Sequence, residues 1–320
     1  MEVVCLLLLD RSGIMISMNR LSPEKRQAVI AALVEGNSIR STVRMTGVAK
    51  NTVTKLLVDL GTACSVHQDR VMRDLTCQRV QVDELWCFCY AKQRHVPADK
   101  QGRFGYGDVW TWVAIDADTK LVPTYRIGTR DLTDATSFVH DLAQRLANRV
   151  QLTTDGNYAY LNAVRGAFGK EIDYGVLVKK YGSDANPRKP EQRYSPSVCI
   201  EATPHAAIGS PDPDHISTSH VERLNLTMRM SMRRYTRLTN AFSKKVENLA
   251  AAVSLHFMHY NFCRVHQTLG TTPAVAAGLT DHVWTLREMI ALLEEAESVP
   301  TKRGRYAKTR ERRAAARDSN

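Results

Sequence analysis

The sequence has no run long enough to cross a bilayer. Its longest early apolar stretch, VVCLLLL from Val3 to Leu9, has seven residues, against about 20 for a spanning helix. Neither a basic leader nor a small-residue cleavage site accompanies it, so no membrane partner and no secretion are expected. A phosphate-binding Walker sequence is also missing, and Gly105-Tyr106-Gly107 is too short to cradle a polyphosphate, which excludes a nucleotide cofactor. No G-x-S-x-G elbow surrounds any serine. Ser217, Ser219, His215 and His220 crowd together without a nucleophile signature, so acyl chemistry has no support. The seven cysteines are odd in number, irregular in spacing and without a C-x-x-C pair. They make neither a disulfide framework nor a zinc knuckle, and the chain is expected in a reducing compartment, the cytoplasm.

What the chain does have is a core and a charge. Apolar residues make up 43% of 320, enough to bury a large domain or two to three small ones. Forty-four Lys and Arg against thirty-three Asp and Glu leave +11. That surplus favours a polyanionic partner, nucleic acid before membrane. Residues 301–320 carry eight basic and two acidic residues, over half of the surplus, with almost nothing apolar. They read as a basic tail without structure of its own.

The organisation follows from pattern changes. Residues 1–20 read as an N-terminal extension. Residues 21–62 read as three short helices: Ser22 caps the first with Pro23 at its first position, Ser38 caps the second, and Gly47 turns the chain into a third that starts at Lys50 or Asn51. That arrangement is a helix-turn-helix, with Lys50, Asn51, Thr52, Thr54 and Lys55 at the start of the helix that would enter a major groove. After a linker at 63–77 the pattern becomes strands: VQVDELWCFCYA, VWTWVAIDADT and LVPTYRIGTR, with Cys87 and Cys89 on one strand face. A helix over 131–148, the strand VQLTT, a helix over 157–168 and the strand IDYGVLVKKY follow. This order predicts an α/β ribonuclease H-like core over 78–278, a mixed five-stranded sheet flanked by helices and preceded by the all-α domain. Residues 182–214 read as a loop insertion, 219 onward and 242–262 as helices, and 279–300 as a C-terminal helix.

Three acids stand where acids need a reason. Asp83 interrupts a strand, and burying an unpaired carboxylate costs several kcal/mol. Asp155 ends the fourth strand before Gly156, and Glu222 opens a helix. In the expected sheet the first and fourth strands are neighbours, so Asp83 and Asp155 approach and a helix brings Glu222. Converging carboxylates repel unless a hard cation such as Mg²⁺ joins them. Two such ions ~4 Å apart can activate an attacking oxygen and stabilise a leaving one at a phosphodiester. The plainer alternative makes Asp83 a hydrogen-bonded structural residue, Asp155 a cap and Glu222 a first-turn residue favoured by the helix dipole. From Glu222 to Lys245 there are seven basic residues, Arg223, Arg229, Arg233 and Arg234 among them, and a single acid, Glu222 itself. With Asn225, these arginines are candidate DNA contacts. Glu84 is expected on the opposite strand face from Asp83.

The motifs V-D-E-x-W, T-D-G and H-I-S-T-S-x-V-E-R-x-N-L, with the tail YNFCRVHQTLGTTP, resemble the DDE transposases of bacterial insertion sequences, especially the insertion-sequence-one branch. The resemblance covers residues 80 to 275. It implies a ribonuclease H-like core with Asp83, Asp155 and Glu222 as catalytic triad and metal ligands, holding two Mg²⁺ or Mn²⁺ ions. It further implies double-stranded DNA as partner, a homo-oligomer on that DNA, and a nucleoid-associated cytoplasmic protein. A ribonuclease H-like nuclease without strand joining and a helix-turn-helix regulator are the rival readings.

Overall fold

The computed structural model describes residues 21–182, 199–236 and 240–296. Among the described residues three helices come first: α1 (Pro23–Val34), α2 (Ile39–Thr46) and α3 (Lys50–Val71). The Ser22 side chain accepts a hydrogen bond from the Lys25 N–H, and Ser38 accepts from Ser41, so both expected caps form. Gly47 takes φ +68° after α2, a left-handed turn that glycine adopts without strain. Helix α3 begins at Lys50 but does not end by residue 62. It runs 22 residues, so 63–71 of the expected linker is helical.

The reason lies in packing. α3 lies against α7 (Val246–Met258) and α9 (Leu286–Ala296). At Gly61 the approach is so close that a Cβ would fall 2.7 Å from the Ala251 Cα. Gly36, at φ +79°, likewise sits where a Cβ would meet the Ser231 carbonyl oxygen at 2.6 Å. Gln68 donates to the carbonyls of Cys64 and Ser254, tying the two helices further. The N-terminal helices therefore share one continuous core with the remainder, from Val29 to Leu293. Gly61→Ala will lower stability by about 2 kcal/mol, although alanine is the better helix former by ~1 kcal/mol. Urea unfolding reads this directly; an unchanged midpoint would mean the helices can part without loss.

The sheet follows: β1 (Arg79–Cys89), β2 (Gly107–Asp116), β3 (Tyr125–Gly128), then α4 (Leu132–Ala143), β4 (Gln151–Asp155), α5 (Tyr158–Phe168), β5 (Asp173–Tyr181) and β6 (Cys199–Ile208). The strand order is β3-β2-β1-β4-β5-β6, six strands among the described residues where five were expected. β1 pairs parallel with β4 and antiparallel with β2, and β4 pairs parallel with β5. The extra strand, β6, lies inside the 182–214 stretch read as a loop. It pairs antiparallel with β5 on the edge, with Pro204 opposite Leu177, and an edge strand tolerates a residue that cannot donate to the ladder.

Trp112 is fully buried and marks one sheet face, packing on Phe138 of α4 and Tyr160 of α5. The other face is covered by α6 (Ser219–Ser231) and the segment after it, where Tyr235 shares a 2.6 Å hydrogen bond with Thr111. The helix expected over 242–262 starts at Val246 and widens into a π turn, His259–Cys263. Within that turn the buried Asn261 both donates to and accepts from the Val122 backbone, each at 3.0 Å. Thr272 caps the short α8 (Pro273–Ala276), its side chain accepting from the Val275 N–H. Cys64, Cys77, Cys87 and Cys89 are all buried as free thiols. The extension at 1–20, residues 183–198 of the insertion and the basic tail at 301–320 lie outside the described residues. Among the described residues no helix is long and apolar enough to cross a membrane.

Candidate active site

The acids gather where β1 and β4 stop pairing. The parallel ladder runs from Arg79↔Gln151 to Gln81↔Thr153 and goes no further. Continued by two residues, that register would set Asp83 beside Asp155, so both carboxylates stand at the opening between the strands. Strand alternation does place Glu84 on the other face, opposite Trp112. Its carboxylate is nevertheless part of the cluster: oxygens of Asp83, Glu84 and Asp155 lie within 4.8 Å of one another. Glu84 thus stands on the face that alternation assigns it, and its carboxylate still meets those of Asp83 and Asp155 through the gap between the strands.

Each acid has a distinct setting. The Glu84 side chain is 1% exposed and takes three donors: Arg130 Nε at 2.6 Å, Asn157 Nδ2 at 2.9 Å and the Tyr160 hydroxyl at 2.7 Å. Asp83 accepts from the Glu84 N–H at 2.8 Å and from Asn225 Nδ2 at 2.7 Å. Burial, then the Glu84 carboxylate, pushes the Asp83 carboxyl up to about 7, with Asp155 and Glu222 adding to the shift. Burial and Glu84 also raise Asp155, opposed by the Asn157 N–H, Arg130 and Lys179. Asp155 caps nothing in the helix proper: that role belongs to Asn157, whose side chain accepts from the Ala159 N–H.

Glu222 lines the same cleft, an open hollow of about 760 Å³ that also reaches Asp83, Asp155, Arg130 and Lys179. Its carboxylate stands outside the tight cluster. It is ion-paired with Lys179 of β5 and accepts from the Thr218 hydroxyl at 2.8 Å. The sequence patterns did not single out Arg130, Asn157, Tyr160 or Lys179. Only the D-G-N capping pattern after β4 could have pointed to one of them, Asn157.

The expected DNA contacts divide. Lys50 and Asn51 are exposed at the start of α3, where no side chain caps the helix. Lys55 is ion-paired with Asp59, and the hydroxyls of Thr54 and its neighbours are half-buried or bonded within the helix, Thr54 to the Lys50 carbonyl at 3.0 Å; Thr52 is half-buried. On α6 and after it, Arg223 and Arg233 are exposed and Arg229 and Arg234 half-buried. Asn225 is buried and serves Asp83 instead of facing outward.

The donor set fits a hard divalent cation. Carboxylate oxygens converge in an open cleft, two of the acids are held with raised proton affinity, and the Asn225 amide oxygen is buried beside Asp83 without a partner among the described residues. An orphaned hard oxygen next to crowded carboxylates is what a cation would relieve.

No protein-family model matches the chain, and no curated protein does either. Among solved structures, the piggyBac transposase synaptic complex with hairpin DNA matches at 9% identity and a TM-score of 0.39, covering 94% of this chain and 78% of that one. The Mos1 mariner paired end complex with Mn matches at 13% identity and a TM-score of 0.19, over 49% of this chain and 60% of that one. Both superpositions are loose, so the chemistry has to be read from the cleft itself.

Proposed function

We propose that this chain is a DDE-type DNA transposase of the insertion-sequence-one-like kind. It binds the ends of a mobile element, hydrolyses a phosphodiester there and joins the freed 3′-hydroxyl to target DNA. The observation that carries the reading is the convergence of Asp83, Glu84 and Asp155, with the two aspartates lining a cleft that Arg130 and Lys179 also line. Asp83, Asp155 and Glu222 would hold two divalent ions, Mg²⁺ or Mn²⁺, which activate an attacking oxygen and stabilise a leaving one.

The chain's own groups have definite work. Asn225 fixes the rotamer of Asp83 through its 2.7 Å bond. Glu84 is saturated by three donors, and it holds Arg130 against the face of Trp110, 4.8 Å from the ring centroid. So held, Arg130 turns its remaining N–H groups to a backbone phosphate. Lys179 keeps Glu222 at the rim by an ion pair, leaving it free to exchange that partner for a ligand role. Lys50 and Asn51, with Thr52, are offered to a DNA groove at the start of α3, and Arg223 and Arg233 to phosphates. Two element ends must be held together, so a homo-oligomer on double-stranded DNA is the working assembly.

A Mg²⁺-dependent assay on DNA carrying the gene's flanking sequences, scored separately for nicking and joining, tests this. Joined products support the transposase. Nicking without joining makes the protein a nuclease, and binding with neither makes it a regulator. Removal of residues 301–320 is expected to weaken binding to all sequences alike and to flatten its salt dependence, since the segment carries a net +6. A salt slope equal to that of the full chain would make the tail a bystander.

A further inference from the structure

Among the described residues three aromatic side chains are exposed, Phe104, Tyr158 and Tyr181. Two of them stand on the acid cleft. Tyr158, 81% exposed, opens α5 three residues after Asp155; Tyr181, 57% exposed, ends β5 two residues beyond Lys179. Large apolar rings left in water beside a polar site are costly to leave bare and gain most from a flat apolar partner. Arg130 and Lys179 put cationic charge on the walls; of the acids, Glu84 is buried, Asp83 and Asp155 are half-buried, and Glu222 is exposed and ion-paired with Lys179. A phosphate that reaches those acids must therefore bring its strand into the cleft, past the two rings.

We infer that Tyr158 and Tyr181 form a stacking site for unpaired nucleobases next to the phosphate being cut, so that the cleft takes DNA locally opened from its duplex. This rests on the cleavage reading above and adds the form of its substrate. Stacking on tyrosine is sequence-tolerant because every base offers a π face. Cationic walls would track the backbone on either side, which is how surfaces for single strands are built. Opening a base pair costs a few kcal/mol, least at a frayed or mismatched end, so the site gives preference to such ends.

The test uses the full chain and two DNA probes of one sequence, a fully paired duplex and the same duplex with a short unpaired end carrying 2-aminopurine. Binding is measured in Ca²⁺, without turnover, by titration and by aminopurine fluorescence. The wild type is expected to bind the opened probe about ten-fold more tightly and to quench the fluorophore. Tyr158→Ala and Tyr181→Ala should each remove most of that preference, while the Phe variants, which keep the ring, should retain it. Both residues are exposed, so the alanine chains are expected to fold. Equal affinity of the wild type for the two probes, or alanine variants that keep the preference and the quench, would overturn the inference. Cleavage in Mg²⁺ is scored in parallel. A quench that depends on the tyrosines, with neither probe cut, would support the stacking site while removing the cleavage reading.

Discussion

Asp155→Asn should lower Mg²⁺-dependent DNA cleavage by on the order of 10³-fold, about 4 kcal/mol of lost barrier reduction, while DNA affinity stays within about two-fold. Asp83→Asn should do the same. Both changes keep the side-chain shape and remove only charge and ligand strength, and both residues lie within the carboxylate cluster and not on the exposed basic helices. Single-turnover cleavage alongside an equilibrium binding titration separates the two effects. Retained turnover in either variant would remove these acids from the reaction. The third position can be decided in the same experiment. Glu222→Gln should match the aspartate variants; if it keeps turnover while Glu84→Gln loses it, the third ligand is Glu84, whose carboxylate is already in the cluster.

The second large effect is on stability, and its sign follows from proton affinity. Asp83 holds its proton up to about pH 7 in the folded chain, but ionises near 3.9 in an unfolded one. Between those values the native state binds more protons than the unfolded state, so stability falls as pH rises from about 4 to about 7. The penalty at higher pH is at most about 4 kcal/mol. A divalent cation bound to the ionised cluster should recover it. Mn²⁺ or Mg²⁺ well above its Kd is expected to raise Tm by several degrees near pH 8 and by less near pH 5, where Asp83 keeps its proton. Asp83→Asn should flatten the pH dependence and remove most of the metal effect. A metal-induced rise that is equal at both pH values would place the binding elsewhere.

Much of this molecule could be read from its sequence, and the failures have physical causes. Caps at Ser22 and Ser38 were legible because side-chain capping is local chemistry. The adjacency of β1 and β4 was legible from strand order, and with it the approach of Asp83 to Asp155. The face of Glu84 was legible from alternation, but not its place in the cluster, because alternation describes where Cβ atoms point, whereas the carboxylates meet through a gap where two strands part. The linker expected from residue 63 was placed too early because α3 is prolonged by its packing on α7, close at Gly61, a tertiary fact invisible to local propensity. β6 was lost among Pro204, three alanines and Glu201 because an edge strand needs no apolar alternation. Tyr158 and Tyr181 carried no motif; exposure and a shared cleft set them apart.

The most direct test of the metal site is anomalous diffraction from a crystal of the full chain grown or soaked with Mn²⁺. A peak within about 2.2 Å of carboxylate oxygens of both Asp83 and Asp155, absent from Asp155→Asn crystals, is the predicted result. Mn²⁺ bound elsewhere with this cleft empty would contradict it and return Asp83 to a structural role.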